Sequence, residues 1–213
     1  MFAPFDHIRV INLPERRDRR REMERELATL GLAGDPRVAF FPAIRPADAG
    51  RFTSIGARGV YLSQLALLRE AAEAEASLLI LEDDCAFTAA AGAYDFGSGW
   101  DIFYGGYEAL DSGDLANSNI VGAHMMGFSA KGVRQVLAYL DGLECEGIHP
   151  PIDAAYVWFR RAHPETPTRF AVPPIAHQRP SRSDIADLRF YDRLPLVRDA
   201  INMARRLGRR LRR

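Results

Sequence analysis

The sequence predicts an α/β domain with a mostly parallel central sheet, and three observations carry that prediction. Apolar runs at residues 8–13, 38–41 and 78–81 have the length and composition of buried strands. Between them, Met23, Leu27 and Leu30, then Tyr61, Leu65, Leu68 and Ala72, recur at helical spacing. The resulting strand–helix–strand–helix–strand order is the one that builds parallel pairs through helical crossovers.

Residues 8–13 read as the first strand, and Pro14 stands where a helix begins, since proline is tolerated in a first helical turn. Gly31 closes that helix. Residues 48–59 read as a loop ending in Ile-Gly-Ala-Arg-Gly, and the helix marked by Tyr61 then leads into the strand at 78–81. Residues 89–99 are small and glycine-rich, hence loop. A strand is expected at 101–104, followed by a turn at Gly105-Gly106, and a longer strand at 120–129. Ser129 is placed as the N-cap of a helix carrying Val133, Val136, Leu137 and Leu140. Pro150-Pro151 breaks the chain before a helix from 152 to about 161, and residues 169–172 form a last short strand.

The 213 residues suffice for one domain with a sizeable core, and 47% apolar with 26% charged residues is ordinary for a soluble protein. Formal net charge is zero, which gives no electrostatic case for nucleic acid. That zero hides an asymmetry: residues 193–213 hold eight Arg and one Asp, a charge of +7 balanced by −7 over residues 1–192. We divide the chain there into a domain (1–192) and a basic tail (193–213). In the tail Leu196, Ala200, Met203, Ala204, Leu207 and Leu211 follow helical spacing with arginines between them. That is the pattern of a helix lying on an anionic membrane surface. Cys85 and Cys145 make neither a zinc pattern nor a disulfide framework, and the start lacks the basic and apolar regions of a secretory signal. A reduced, cytoplasmic setting is expected, with the tail as a peripheral contact to the membrane.

The chemistry concentrates at residues 78–84, Leu-Leu-Ile-Leu-Glu-Asp-Asp, a buried strand running directly into three acids. Adjacent carboxylates raise the cost of ionising one another. A hard cation such as Mg²⁺ or Mn²⁺ relieves that, taking one or two carboxylates plus substrate phosphates. A solvated acidic turn is the plain alternative. On an extended strand Glu82 and Asp84 point to one side and Asp83 to the other; an immediate turn would exchange the roles.

Several stretches together resemble glycosyltransferase family 25, which includes lipopolysaccharide and lipooligosaccharide sugar transferases and the collagen galactosyltransferases. They are Ile11-Asn12-Leu13-Pro14-Glu15-Arg16; Gly59-Val60-Tyr61-Leu62-Ser63-Gln64, a helix, then residues 78–84; residues 122–132; Pro151-Ile152-Asp153; and residues 174–178 with Ser183 and Ile185. Gln64 stands where that family usually has His, and Val60 where it has Cys. The resemblance implies a GT-A type, Rossmann-like single domain. It also implies a UDP-sugar donor (galactose being the commonest sugar), a divalent cation and inverting transfer to a saccharide or glycolipid acceptor. It implies Asp84 as metal ligand, with Glu82 on the metal shell or ribose and His177 completing the shell. Asp83 and Asn12 fall where nucleotide contacts are expected, Arg16 or Arg20 near a phosphate, Ser63 and Gln64 near the donor, and Lys131 by the diphosphate. Asp153 is the expected base, an acid that also suits a helix cap, with Asp101 and Glu108 as further carboxylates of the same type. His124 reads as a core histidine. Trp100, Tyr104 and Tyr107 read as core aromatics or as stacking platforms. No G-x-G-x-x-G follows the first strand and no Walker A sequence appears.

Overall fold

The computed structural model describes residues 2–179. Along that stretch the chain forms β1 (His7–Asn12), α1 (Arg17–Thr29), β2 (Val38–Pro42), α2 (Ile55–Glu73), β3 (Leu78–Glu82), β4 (Cys85–Phe87), β5 (Ile102–Ala109), β6 (Ile120–Phe128), α3 (Ala130–Asp141), α4 (Ile152–Ala162), β7 (Thr168–Phe170) and β8 (Ala176–Gln178). Six strands build the central sheet in the order β2-β1-β3-β6-β5-β7. β1 pairs in parallel with β2 and β3, and β5 with β7; β6 runs antiparallel between β3 and β5. β4 and β8 form a separate antiparallel ribbon. No helix among the described residues is long and apolar enough to cross a membrane. The expectations for the basic tail, and for Ser183 and Ile185, fall outside the described residues.

The sheet is covered on both faces, which is why its strands read as continuous apolar runs. In β3, Leu78 and Ile80 belong to the core that α2, α3 and α4 share. Leu79 and Leu81 face the other core, with Met23 and Leu27 of α1. Period-two alternation thus assigns each side chain of β3 to one layer or the other.

Two glycine readings are corrected by packing. α2 starts at Ile55, inside the stretch expected as loop to Gly59, because the Ser54 side chain caps it by accepting from the Ala57 N–H. Gly59 lies within the helix, where a Cβ would come within 2.6 Å of the Ile44 carbonyl oxygen. Gly105 and Gly106 do not turn the chain; β5 continues through them with register shifts against β6. A Cβ on Gly105 would meet Met125 Sδ at 2.5 Å, and one on Gly106 would strike the His124 ring. These glycines permit close packing inside a strand.

Register fixes which ends of the strands lie together. Leu78 of β3 pairs with Phe128 of β6, and Ile102 of β5 with the same Phe128. The end of β6 and the start of α3 therefore lie at the amino edge of the parallel strands. The carboxyl edge gathers Asn12, Glu82, the first residues of β6 and the start of α4, where ligands bind in open α/β sheets.

Candidate functional site

β3 ends at Glu82 and the chain turns at once through Asp83 and Asp84 into β4. The turn overrides simple alternation: Asp84 shares a guanidinium with Asp83, and its charge still bears on Glu82. Asp83 accepts from Asn12 Nδ2 at 2.7 Å and from Arg19 Nη1 at 2.8 Å. The same Arg19 nitrogen reaches Asp84 Oδ2 at 3.2 Å, and Gln178 Nε2 donates to that oxygen at 3.2 Å. Both aspartates are buried. This group sits on the α1 side of the sheet.

Glu82 continues the row of Leu78 and Ile80 towards α2 and α4. Burial first, then the charges of Asp84, Asp153 and Asp83, push its pKa up to about 8, against a smaller downward pull from Arg19. Its carboxylate accepts no hydrogen bond among the described residues. Asp153 lies in the first turn of α4, whose N-cap is Pro151, so it is not the cap residue itself. Its carboxylate accepts from the backbone N–H of Gly122 at 3.0 Å and of Ala154 at 2.9 Å. Gly122 stands at φ +86°, a left-handed conformation that suits glycine. Burial raises the Asp153 pKa, and those two N–H groups partly oppose the rise. The edge thus holds four carboxylates: Asp83 and Asp84 compensated by Arg19, Glu82 and Asp153 disfavoured in their charged forms.

The remaining expected residues divide. Asn12 stands at the edge, donating to Asp83 and to the Arg16 carbonyl. Arg16 pairs with Asp18 and also feels the charge of Asp83, and Arg20 turns to Glu24 and the Phe40 ring; Arg19 makes direct contact with the acids. Gln64 is buried on the Glu82 side and accepts from the Tyr156 hydroxyl at 2.6 Å, while its Nε2 has no partner among the described residues. Ser63 is spent on structure: its hydroxyl donates to the Gly59 carbonyl at 2.7 Å and accepts from the Ile44 N–H at 2.8 Å. Lys131 pairs with Asp101 at 2.6 Å at the amino edge, the opposite end of the sheet, which removes both from the carboxylates at the carboxyl edge. His177 is exposed opposite Ala86, one residue from Gln178, so alternation turns it away from Asp84. Glu108 is exposed near the end of β5. His124 is buried, its ring 3.4 Å from the Ala176 carbonyl, as expected of a core histidine. Trp100, Tyr104 and Tyr107 are core residues.

Sequence reasoning missed Arg19, Gln178 and Tyr156. Arg19 and Arg20 flank the Met23–Leu27 stripe on either side, and only tertiary packing decides which meets β3 and which meets β2. Tyr156 carried a signal, an inward position one turn after Ile152 on an amphipathic helix.

The donor set suits a hard cation in chemistry, being all oxygen and closely repelling. No group of three or more His, Cys, Asp or Glu side chains forms a ready-made cage among the described residues. A groove of about 420 Å³, lined by residues including Arg20, Leu27, Leu32, Val38 and Phe40, lies between α1 and β2 and contains none of these carboxylates.

No family model and no curated protein matches this sequence. Among solved structures, the chain is similar to a glycosyltransferase involved in the glycosylation of the major capsid of PBCV-1. The TM-score is 0.52 at 10% identity, over 84% of this chain and 95% of that one. A putative glucose-1-phosphate thymidylyltransferase from Bacillus anthracis, in complex with a sucrose, gives a TM-score of 0.42 at 11% identity, over 78% of this chain and 67% of that one. The fold is a GT-A, Rossmann-like glycosyltransferase fold with a mostly parallel six-stranded sheet.

Proposed function

We propose that the protein is a glycosyltransferase that moves a sugar from a UDP-linked donor to a saccharide or glycolipid acceptor of the cell envelope, such as lipopolysaccharide. The observation that carries this reading is the gathering of Glu82, Asp83, Asp84 and Asp153 at the carboxyl edge of a sheet with this fold, beside Asn12 and Arg19. That edge is where such sheets bind nucleotides.

In this reading Asn12 and Asp83 form the floor of the nucleotide site. The acids of this turn, Asp84 with Asp83 and Glu82 beside it, would hold a divalent cation, Mn²⁺ or Mg²⁺, which would supply positive charge to stabilise the departing diphosphate. Asp153 is the base. Its burial raises its proton affinity, which brings a carboxylate closer to the pKa useful for accepting a hydroxyl proton. As the acceptor oxygen bonds to the anomeric carbon, its proton passes to Asp153 and the bond to the diphosphate breaks, with inversion. The basic tail supplies contact with an anionic membrane surface on the cytoplasmic side.

The test is transfer itself, with a panel of UDP-sugars and saccharide acceptors. Asp84→Ala is expected to eliminate turnover, and full activity in that variant would reject the assignment. A second reading rests on Gln64: locked to Tyr156 where the resembling family has His, it suits a relative that binds nucleotide-sugar without turnover. That reading predicts UDP binding with no transfer to any acceptor.

A further inference from the structure

The acids at the end of β3 already have a cation of the protein's own. Arg19, the third residue of α1, places Nη1 2.8 Å from Asp83 Oδ1 and 3.2 Å from Asp84 Oδ2, with all three side chains at most 16% exposed. Two neighbouring carboxylates converging on one positive nitrogen is an arrangement that a divalent ion would replace, since hard cations take the same oxygens. A guanidinium and a divalent ion cannot share them without strong like-charge repulsion in a partly buried site. A guanidinium is equally suited to diphosphate oxygens, to which it donates bidentately. Of the neighbouring arginines, Arg16 pairs directly with Asp18 and Arg20 with Glu24, while Arg19 pairs directly with Asp83 and Asp84.

Resting on the nucleotide-sugar reading above, we propose that Arg19 is the diphosphate-binding residue of this site and, before the nucleotide arrives, the internal counter-ion that occupies the cation's seat. Entry of the donor draws the guanidinium from Asp83 and Asp84 to the diphosphate, and the released carboxylate oxygens accept the divalent ion. The metal alone therefore binds weakly, and metal and nucleotide bind cooperatively. By linkage, UDP tightens Mn²⁺ binding by the same factor as Mn²⁺ tightens UDP binding.

The experiment is calorimetric titration of the full chain with Mn²⁺ alone, UDP alone, and each in the presence of the other. For the natural sequence, UDP is expected to tighten Mn²⁺ binding about 30-fold, within the ordinary range of coupling between sites. Arg19→Gln is expected to bind Mn²⁺ alone about 10-fold tighter, because the competing charge is gone, and UDP with saturating Mn²⁺ about 10-fold weaker. The coupling factor then falls to about threefold or less. If the natural chain binds UDP with Mn²⁺ but Arg19→Gln leaves the affinity for Mn²⁺ alone unchanged, the proposal is overturned and the transferase reading stands. If the natural chain binds no UDP in any condition, the transferase reading falls with it. Should Arg19→Gln fail to fold, Arg19→Lys carries the test. An ammonium keeps the charge but not the fork, so UDP affinity with Mn²⁺ is expected to fall about threefold or more. UDP affinity in Arg19→Lys equal to that of the natural chain would overturn the proposal.

Discussion

Replacing Glu82 by Gln should make the protein more stable at alkaline pH and leave it unchanged at acid pH. In the folded chain the Glu82 pKa is pushed up to about 8 from an ordinary 4.5, chiefly by burial and then by Asp84, Asp153 and Asp83. In the unfolded chain it returns to the ordinary value. Between those two pH values the folded state holds a proton that the unfolded state has lost, so stability falls as pH rises from about 4.5 through 8, then levels off. Taken whole, a shift of that size is worth about 5 kcal/mol. Solvent at the partly exposed carboxylate screens some of the interaction, which leaves about 3 kcal/mol. The amide introduced by Glu82→Gln imitates the protonated acid and carries no such dependence. Asp153 contributes a slope of the same sign to both proteins, so the difference between them reports Glu82 together with its coupling to Asp153. Urea unfolding in EDTA is therefore expected to give nearly equal stabilities at pH 4, below the ordinary pKa of 4.5, and an advantage of about 3 kcal/mol to Glu82→Gln at pH 8.5. Parallel pH–stability curves for the two proteins would refute the reasoning.

Asp153→Asn should reduce transfer by about a thousandfold, as loss of a general base does, while leaving UDP affinity within about threefold. The amide also leaves one of the Gly122 and Ala154 N–H groups without an acceptor, at about 1–2 kcal/mol of stability in urea unfolding. Gly132→Ala should destabilise the fold by about 3 kcal/mol, because its Cβ would collide with the Asp101 carbonyl oxygen, a backbone atom that cannot turn aside. Since that contact is at the amino edge, UDP binding by the folded fraction should be unchanged. Removing residues 195–213 should abolish sedimentation with anionic vesicles, and unchanged sedimentation would end the membrane reading of the basic tail.

Much of the fold was legible because the central strands are buried on both faces and separated by amphipathic helices of ordinary length. β4 and β8 were not: each has three residues, β4 starts only two residues after β3, and the two pair only with each other in a separate ribbon. The glycines at 105–106 misled for a physical reason. Local sequence marks a turn, whereas here the missing side chains make room for Met125 and His124 across the sheet. In the site, Asn12, Glu82, Asp83, Asp84 and Asp153 come to one edge as the order of elements implies. The immediate turn after Glu82 moves Asp84 to the side of Asp83, which strand alternation alone could not tell. Lys131 depends on the direction of β6, and antiparallel pairing with β3 carries the α3 N-terminus to the far edge. Ser63 reads as a polar contact in sequence but is consumed by the Gly59 and Ile44 backbone. Arg19 and Gln178 acquire their roles only through packing of α1 and of the β4–β8 ribbon.

The most direct test is calorimetric titration of UDP into the natural chain and into Asp84→Ala, once with Mn²⁺ and once with EDTA. The expectation is that UDP binds the natural chain about 30-fold more tightly with Mn²⁺ than with EDTA, and that Asp84→Ala loses that difference. Equal binding with Mn²⁺ and with EDTA, or no binding by folded protein in either condition, would contradict it.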